Sequence, residues 1–114
     1  MANYFYTSDG ERITDATIKK RLSKAYRKRY GGMAHPCCEE TGLPAQGSSH
    51  IVSQKRCKQL HKADLIYNPR NFFPATHDVN SRWESNDVTL KNYSRYMEVM
   101  KEFDPEGYRK RLYL

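Results

Sequence analysis

The segment TDATIKKRLSKAYRKRY, residues 14–30, leaves this chain little choice about how it starts to fold. Its apolar positions Ile18, Leu22, Ala25 and Tyr26 recur at i, i+4, i+7 and i+8, which is one stripe of a helix. Thr14 or Asp15 suits the N-cap, and Gly31–Gly32 suits the stop. The opposite face carries Lys19, Lys20, Arg21, Lys24, Arg27, Lys28 and Arg29, and no acid stands between Asp15 and Glu39. Such cations repel one another unless an anion is present. The stripe must therefore dock on a core, while the other face meets solvent or, as we expect, phosphate.

Composition narrows the classes. With 114 residues the chain is long enough for one domain with a modest core and too short for two. Lys and Arg outnumber Asp and Glu by 20 to 13, for a net charge of +7, so a polyanion is the expected partner. A disordered basic tail would lack the 12% of aromatic residues found here. No apolar run approaches the ~20 residues of a membrane span, and MANYFYTSDG lacks the basic start and apolar centre of a signal peptide. Three cysteines, an odd number, argue for a reducing compartment, so a cytoplasmic protein is expected.

Residues 33–85 have a different texture. ETGLPAQGSS is rich in turn residues and leads into HIVS, read as a short strand. QKRCKQLHKADL suits a helical turn, and in YNPRN the proline fixes φ and pushes Asn68 towards an extended conformation. NFFPAT reads as a strand interrupted by Pro74, hence an edge strand. HDVNSRWES then suits a helix capped by Thr76 or Asp78. Over residues 88–114, Leu90, Tyr93, Met97 and Met100 mark a helix with a core stripe, and a short basic helix or tail follows Pro105.

The order His50 on a strand, a loop, Asn71 opening a second strand, and Asn80 on the next helix resembles the HNH, or His-Me finger, nuclease family. NPRN before an apolar strand is similar to the family's DPxN turn, and CCEETGLP to its C-x-x-T/S-G turn. The resemblance covers residues 37–85. It implies an α+β fold with a ββα-metal core, flanked here by the N-terminal basic helix and C-terminal helices. It implies that His50 is the general base, that Asn71 holds the hairpin loop as its catalytic partner, and that Asn80 binds a divalent metal, Mg²⁺ or Mn²⁺. The product ends would be 5′-phosphate and 3′-hydroxyl. A stand-alone member of this size resembles phage-encoded ones, which would place it in the host cytoplasm. Ser49 stands where many members keep Asp or a second His as a further ligand, which implies weak metal binding before DNA arrives.

The chemistry fits those residue types. A neutral imidazole with pKa near ~6.5 takes a proton from water at physiological pH. An Asn oxygen suits a hard cation and leaves its full charge for the phosphate. His77 and Glu84 sit three before and four after Asn80, on the same helical face, and are candidate second ligands. Arg56, Arg70 and Arg82 are candidate phosphate contacts, with Lys19, Lys20, Arg21, Lys24, Arg27 and Lys28 of the first helix. Each residue also has a bland reading: His50 as a structural histidine, Asn80 as a cap or surface residue. Cys37, Cys38 and Cys57 with His35 and His61 form a candidate structural zinc set, although no C-x₂-C pair exists; buried free thiols are the alternative. The function expected is a DNA endonuclease, RNA being less favoured. The alternatives are a non-catalytic nucleic-acid binder on a decayed core, and a branched-DNA resolvase.

Overall fold

The computed structural model describes residues 3–31 and 36–113, so Gly32 of the expected helix stop, Met33 and His35 lie outside the described residues. Ahead of the basic helix the chain forms a hairpin that sequence reading missed. Strand β1 (Tyr4–Tyr6) pairs antiparallel with β2 (Arg12–Thr14). The turn between them closes through Gly10 N–H on Thr7 C=O at 3.0 Å, with Gly10 at φ +88°, a conformation that favours glycine. Its tip is tied down where Ser8 N–H donates to Asp64 at 2.6 Å.

Thr14 ends β2 and caps helix α1 (Asp15–Tyr30), its hydroxyl accepting the Thr17 N–H at 3.3 Å. Ile18 is buried, and Leu22 packs against the core. The helix lies along the 3-10 segment Ala63–Tyr67, which buries Ala63, Leu65 and Ile66.

A second antiparallel pair, β3 (Gly47–His50) and β4 (Phe72–Ala75), runs in the register Gly47 with Ala75 to His50 with Phe72. The strand expected at HIVS thus ends where that stretch begins. Ile51 and Val52 are both buried, so they cannot alternate as a half-exposed strand does; they turn inward to start the loop. Gly-Ser-Ser-His, weak strand formers, are held extended by pairing with the apolar β4, a tertiary override of propensity. The loop from 51 to 71 holds helix α2 (Gln54–Gln59) and two 3-10 segments, Ala63–Tyr67 and Pro69–Asn71.

Pro74 lies inside β4, opposite Ser48. Its carbonyl accepts the Glu39 N–H at 3.0 Å on the side away from β3. A strand residue's N and O point to the same side, so the missing N–H also faces outward and the β3–β4 ladder loses nothing.

Thr76 caps helix α3 (His77–Glu84), accepting the Val79 N–H at 3.3 Å. Helix α4 (Tyr93–Phe103) starts later than the apolar spacing from Val88 suggests, because residues 86–92 form turns around the Asp87 carboxylate and Glu40 accepts the Asn92 N–H. Phe73 of β4 stacks on Tyr96 at 4.4 Å, and Trp83 meets Tyr96 edge-on at 5.3 Å, so β4, α3 and α4 share one aromatic core. The architecture is α+β, with two small antiparallel sheets and several helices. No helix among the described residues is long and apolar enough to cross a membrane.

Helix α5 (Pro105–Leu112) is joined to α4 through Asp104, which is 3% exposed. Its carboxylate accepts the Gly107 N–H at 3.1 Å and takes a two-point pair from Arg56, at 2.9 and 3.1 Å. The fit leaves no room for a side chain at Gly107, where a Cβ would lie 2.3 Å from the Asp104 oxygen. Burial alone would raise the Asp104 pKa, but the Arg56 pair and the Gly107 N–H outweigh it and hold the carboxyl below its usual range. A depressed native pKa stabilises the fold above the unfolded value and loses that contribution as pH falls through the native one. Docking of α5 should therefore weaken below about pH 4. Asp104→Asn, which breaks the two-point pair and leaves Arg56 only the exposed Glu106 at 3.6 Å, should cost about 2–3 kcal/mol in urea denaturation at pH 7 and remove that acid dependence.

Candidate functional site

A cleft of about 580 Å³ opens where the end of β3, the start of α2, α3 and α5 converge. Ser48 and His50, two apart on one strand and so on one face, line it together with Asn80, Glu84, Arg56 and Arg111.

His50 is held on several sides. Its Nε2 donates to the Ile66 carbonyl at 2.9 Å, its ring packs against Phe72, and its own carbonyl accepts the Trp83 indole N–H at 3.2 Å. A carbonyl can only accept, so the Ile66 bond fixes the tautomer, with the proton on Nε2 and the lone pair on Nδ1. Nδ1 has no protein partner among the described residues, and no buried side-chain N or O there lacks one, so Nδ1 is open to solvent. Burial pulls the imidazole pKa below its ordinary value, against the Ile66 bond, which favours the charged form. The ring is a neutral base at neutral pH.

Asn71 is fully buried at the other end of the loop. Its side-chain oxygen accepts the Val52 N–H at 2.8 Å, and its amide donates to the carbonyls of Val52 and Leu65, both at 3.0 Å. With Ile51 N–H on the Asn71 carbonyl at 2.8 Å, one residue closes the loop that follows His50.

Asn80 is not a helix cap; Thr76 has that task. Its amide donates to Glu84 at 3.2 Å, which turns its oxygen towards the Ser49 hydroxyl, 2.7 Å away. Ser49 therefore orients the Asn80 oxygen from a buried position. Glu84 is exposed and in no ion pair among the described residues. Asn80 and Glu84, one helical turn apart, both line the cleft and carry oxygens of the hard type that Mg²⁺ or Mn²⁺ takes, the Asn80 oxygen already accepting the Ser49 hydroxyl. His77 does not join them: it is exposed in the first turn of α3, its N–H bound to Gln46, and does not line the cleft.

The sulfur residues are not gathered into one site. Cys57 is buried, with Sγ on the Val52 carbonyl at 3.5 Å and the Asn71 amide at 3.7 Å, and burial pushes its thiol up to about 12. His61 points elsewhere, against the Tyr6 ring. Cys38 is buried and Cys37 exposed. No three His, Cys, Asp or Glu among the described residues are placed to hold one metal.

The expected phosphate contacts divide sharply. Lys19, Lys20, Lys24, Arg27 and Lys28 are exposed on α1 and in no ion pair among the described residues. Arg27 lines a second groove with Tyr26 and Ser48, and Ser48 borders both that groove and the cleft. The other four are engaged by carboxylates. Arg21 bonds Glu11 at 2.8 Å and the Tyr67 hydroxyl at 2.9 Å; Arg56 pairs with Asp104, Arg70 with Glu102 at 2.5 Å, and Arg82 with Asp87 at 2.8 Å. Position near the motif made Arg56, Arg70 and Arg82 candidates, but acids remote in sequence reach the first two. Arg111 lines the cleft and was missed; a basic residue near the end of a chain carries no signal of where it folds back. No protein-family model, curated protein or solved structure matches the chain.

Proposed function

We propose that this protein is a metal-dependent DNA endonuclease of the HNH type, with β3, β4 and α3 as its ββα-metal core. The observation that carries the reading is His50: a neutral imidazole of fixed tautomer, its Nδ1 open to solvent, on a residue that lines the same cleft as Asn80 and Glu84. In the proposed reaction a water oxygen attacks the phosphorus while His50 Nδ1 takes its proton, and the bond from phosphorus to the 3′ oxygen breaks. The departing oxygen is protonated from solvent. The Ile66 carbonyl then steadies the imidazolium through the same Nε2–H bond that set the tautomer. Asn80 and Glu84 would hold the divalent cation, which when bound offsets charge on the phosphate and the leaving oxygen. Ser49 supports this arrangement by fixing the Asn80 oxygen, and the exposed cations of α1 would grip backbone phosphates.

The direct test is conversion of supercoiled plasmid to open circle with Mg²⁺ or Mn²⁺ and its suppression by EDTA. Absence of cleavage on plasmid, linear duplex and four-way junction with either metal would overturn the reading in favour of nucleic-acid binding alone. The pH profile adds a sharper expectation. A base with a lowered pKa stays neutral to lower pH, so the nicking rate should rise through an apparent pKa below the usual ~6.5 and be flat above it. An acid limb centred above pH 7 would point to a base other than His50.

A further inference from the structure

We propose that Arg111 is the phosphate-binding cation of the cleft, holding a phosphodiester of the bound strand. Among the described residues no carboxylate lies within ion-pair distance of it, in contrast to Arg21, Arg56, Arg70 and Arg82. Its guanidinium lies 3.9 Å over the Trp83 ring, half buried, and its Nη1 donates to the Trp83 carbonyl at 2.8 Å. Nε and Nη2 have no protein acceptor among the described residues, so the donor fork is only partly used. A guanidinium keeps its charge at any pH near neutral, and burial makes that charge costly without an anion beside it.

The position is built rather than incidental. Asn86, in the left-handed region at φ +59°, clamps the end of α5: its amide donates to the Arg111 carbonyl at 3.1 Å, and its oxygen accepts Nη1 at 3.4 Å and the Tyr93 hydroxyl at 2.7 Å. The ring under Arg111 also donates to the His50 and Ile51 carbonyls at 3.2 Å, so Trp83 ties the cation to the strand end that carries the base. A planar fork of donors backed by an aromatic face suits two oxygens of one phosphate.

That the phosphate belongs to a strand being cleaved rests on the nuclease reading; that Arg111 holds a phosphate does not. Trp83 is the only tryptophan in the chain, so its emission reports on the cation above it. Wild type, Arg111→Gln and Arg111→Lys should be compared in plasmid nicking, in Trp83 emission on titration with a short duplex or with inorganic phosphate, and in melting temperature. Arg111→Gln should nick about 10²-fold more slowly and lose the emission response to duplex. Arg111→Lys, which keeps the charge but not the fork, should lose about tenfold. In a His50→Ala background, Arg111→Gln should lower the slope of log affinity against log salt by about 0.9, the mark of one lost phosphate contact that a purely structural role would not leave. If wild type nicks and folded Arg111→Gln nicks within about threefold of it, the proposal falls and the nuclease reading stands. If wild type does not nick but duplex shifts Trp83 emission through Arg111, the nuclease reading falls and the phosphate site stands. A response to inorganic phosphate with none to duplex overturns the proposal.

Discussion

Replacing His50 with alanine should slow plasmid nicking by about 10³-fold, within the range of a lost general base, while duplex affinity stays within about twofold of wild type. The size follows from what the imidazole does in the proposed reaction: without Nδ1, the attacking water must lose its proton to solvent. The fold should survive. Alanine leaves the Ile66 carbonyl unpaired and takes the ring off Phe72, at about 1–3 kcal/mol, and leaves the strand pairing with Phe72 in place. Added imidazole should recover part of the rate, since the vacated space opens on the cleft. Loss of activity through misfolding would not respond to imidazole, and a His50→Ala protein that nicks as fast as wild type would remove His50 from the mechanism.

Asn71 should show the opposite pattern, a large loss of stability. Asn71→Ala strands the Val52 N–H and the carbonyls of Val52 and Leu65 away from water. Each buried orphan costs about 1–3 kcal/mol, and partial relaxation brings the sum to about 3–5 kcal/mol. At about 4 °C per kcal/mol for a chain of this size, melting should fall by roughly 12–20 °C. That is a large share of the ~5–15 kcal/mol that holds a small domain folded. Asn71→Asp, nearly the same shape, should be no milder, because an ionised carboxylate cannot donate to two carbonyls. A shift below about 1 kcal/mol in either variant, measured by urea denaturation, would mean that the loop is closed without this residue.

Features governed by local rules could be read from the sequence. Thr14 and Thr76 cap the helices that follow them because a short hydroxyl reaches the N–H three residues on, whatever lies elsewhere. The succession His50, Asn71, Asn80 was visible because spacing and turn residues survive in one dimension. The hairpin at Tyr4–Thr14 was missed because three-residue strands carry too little periodicity to see. The β3 strand begins three residues ahead of the strand-like HIVS because its extended form comes from Phe72 and Phe73 across the ladder rather than from its own Gly-Ser-Ser. The arginines show the same limit. Arg56 and Asp104 stand 48 residues apart, so nothing near Arg56 revealed that its charge was already answered. His77 shares a helical face with Asn80 by counting alone, yet the cleft begins one turn beyond it.

Pro74 carries a consequence for how this protein behaves in a crowded solution. Phe72–Ala75 is apolar and wholly buried, the kind of segment that recruits a passing strand from another chain when it is bared during folding or breathing. A two-stranded sheet has no interior strand to shelter it. On the outward edge of β4, position 74 has no N–H to offer, and its carbonyl already accepts the Glu39 N–H. The proline thus acts as a gatekeeper against intermolecular pairing, at no cost to the hairpin that presents His50.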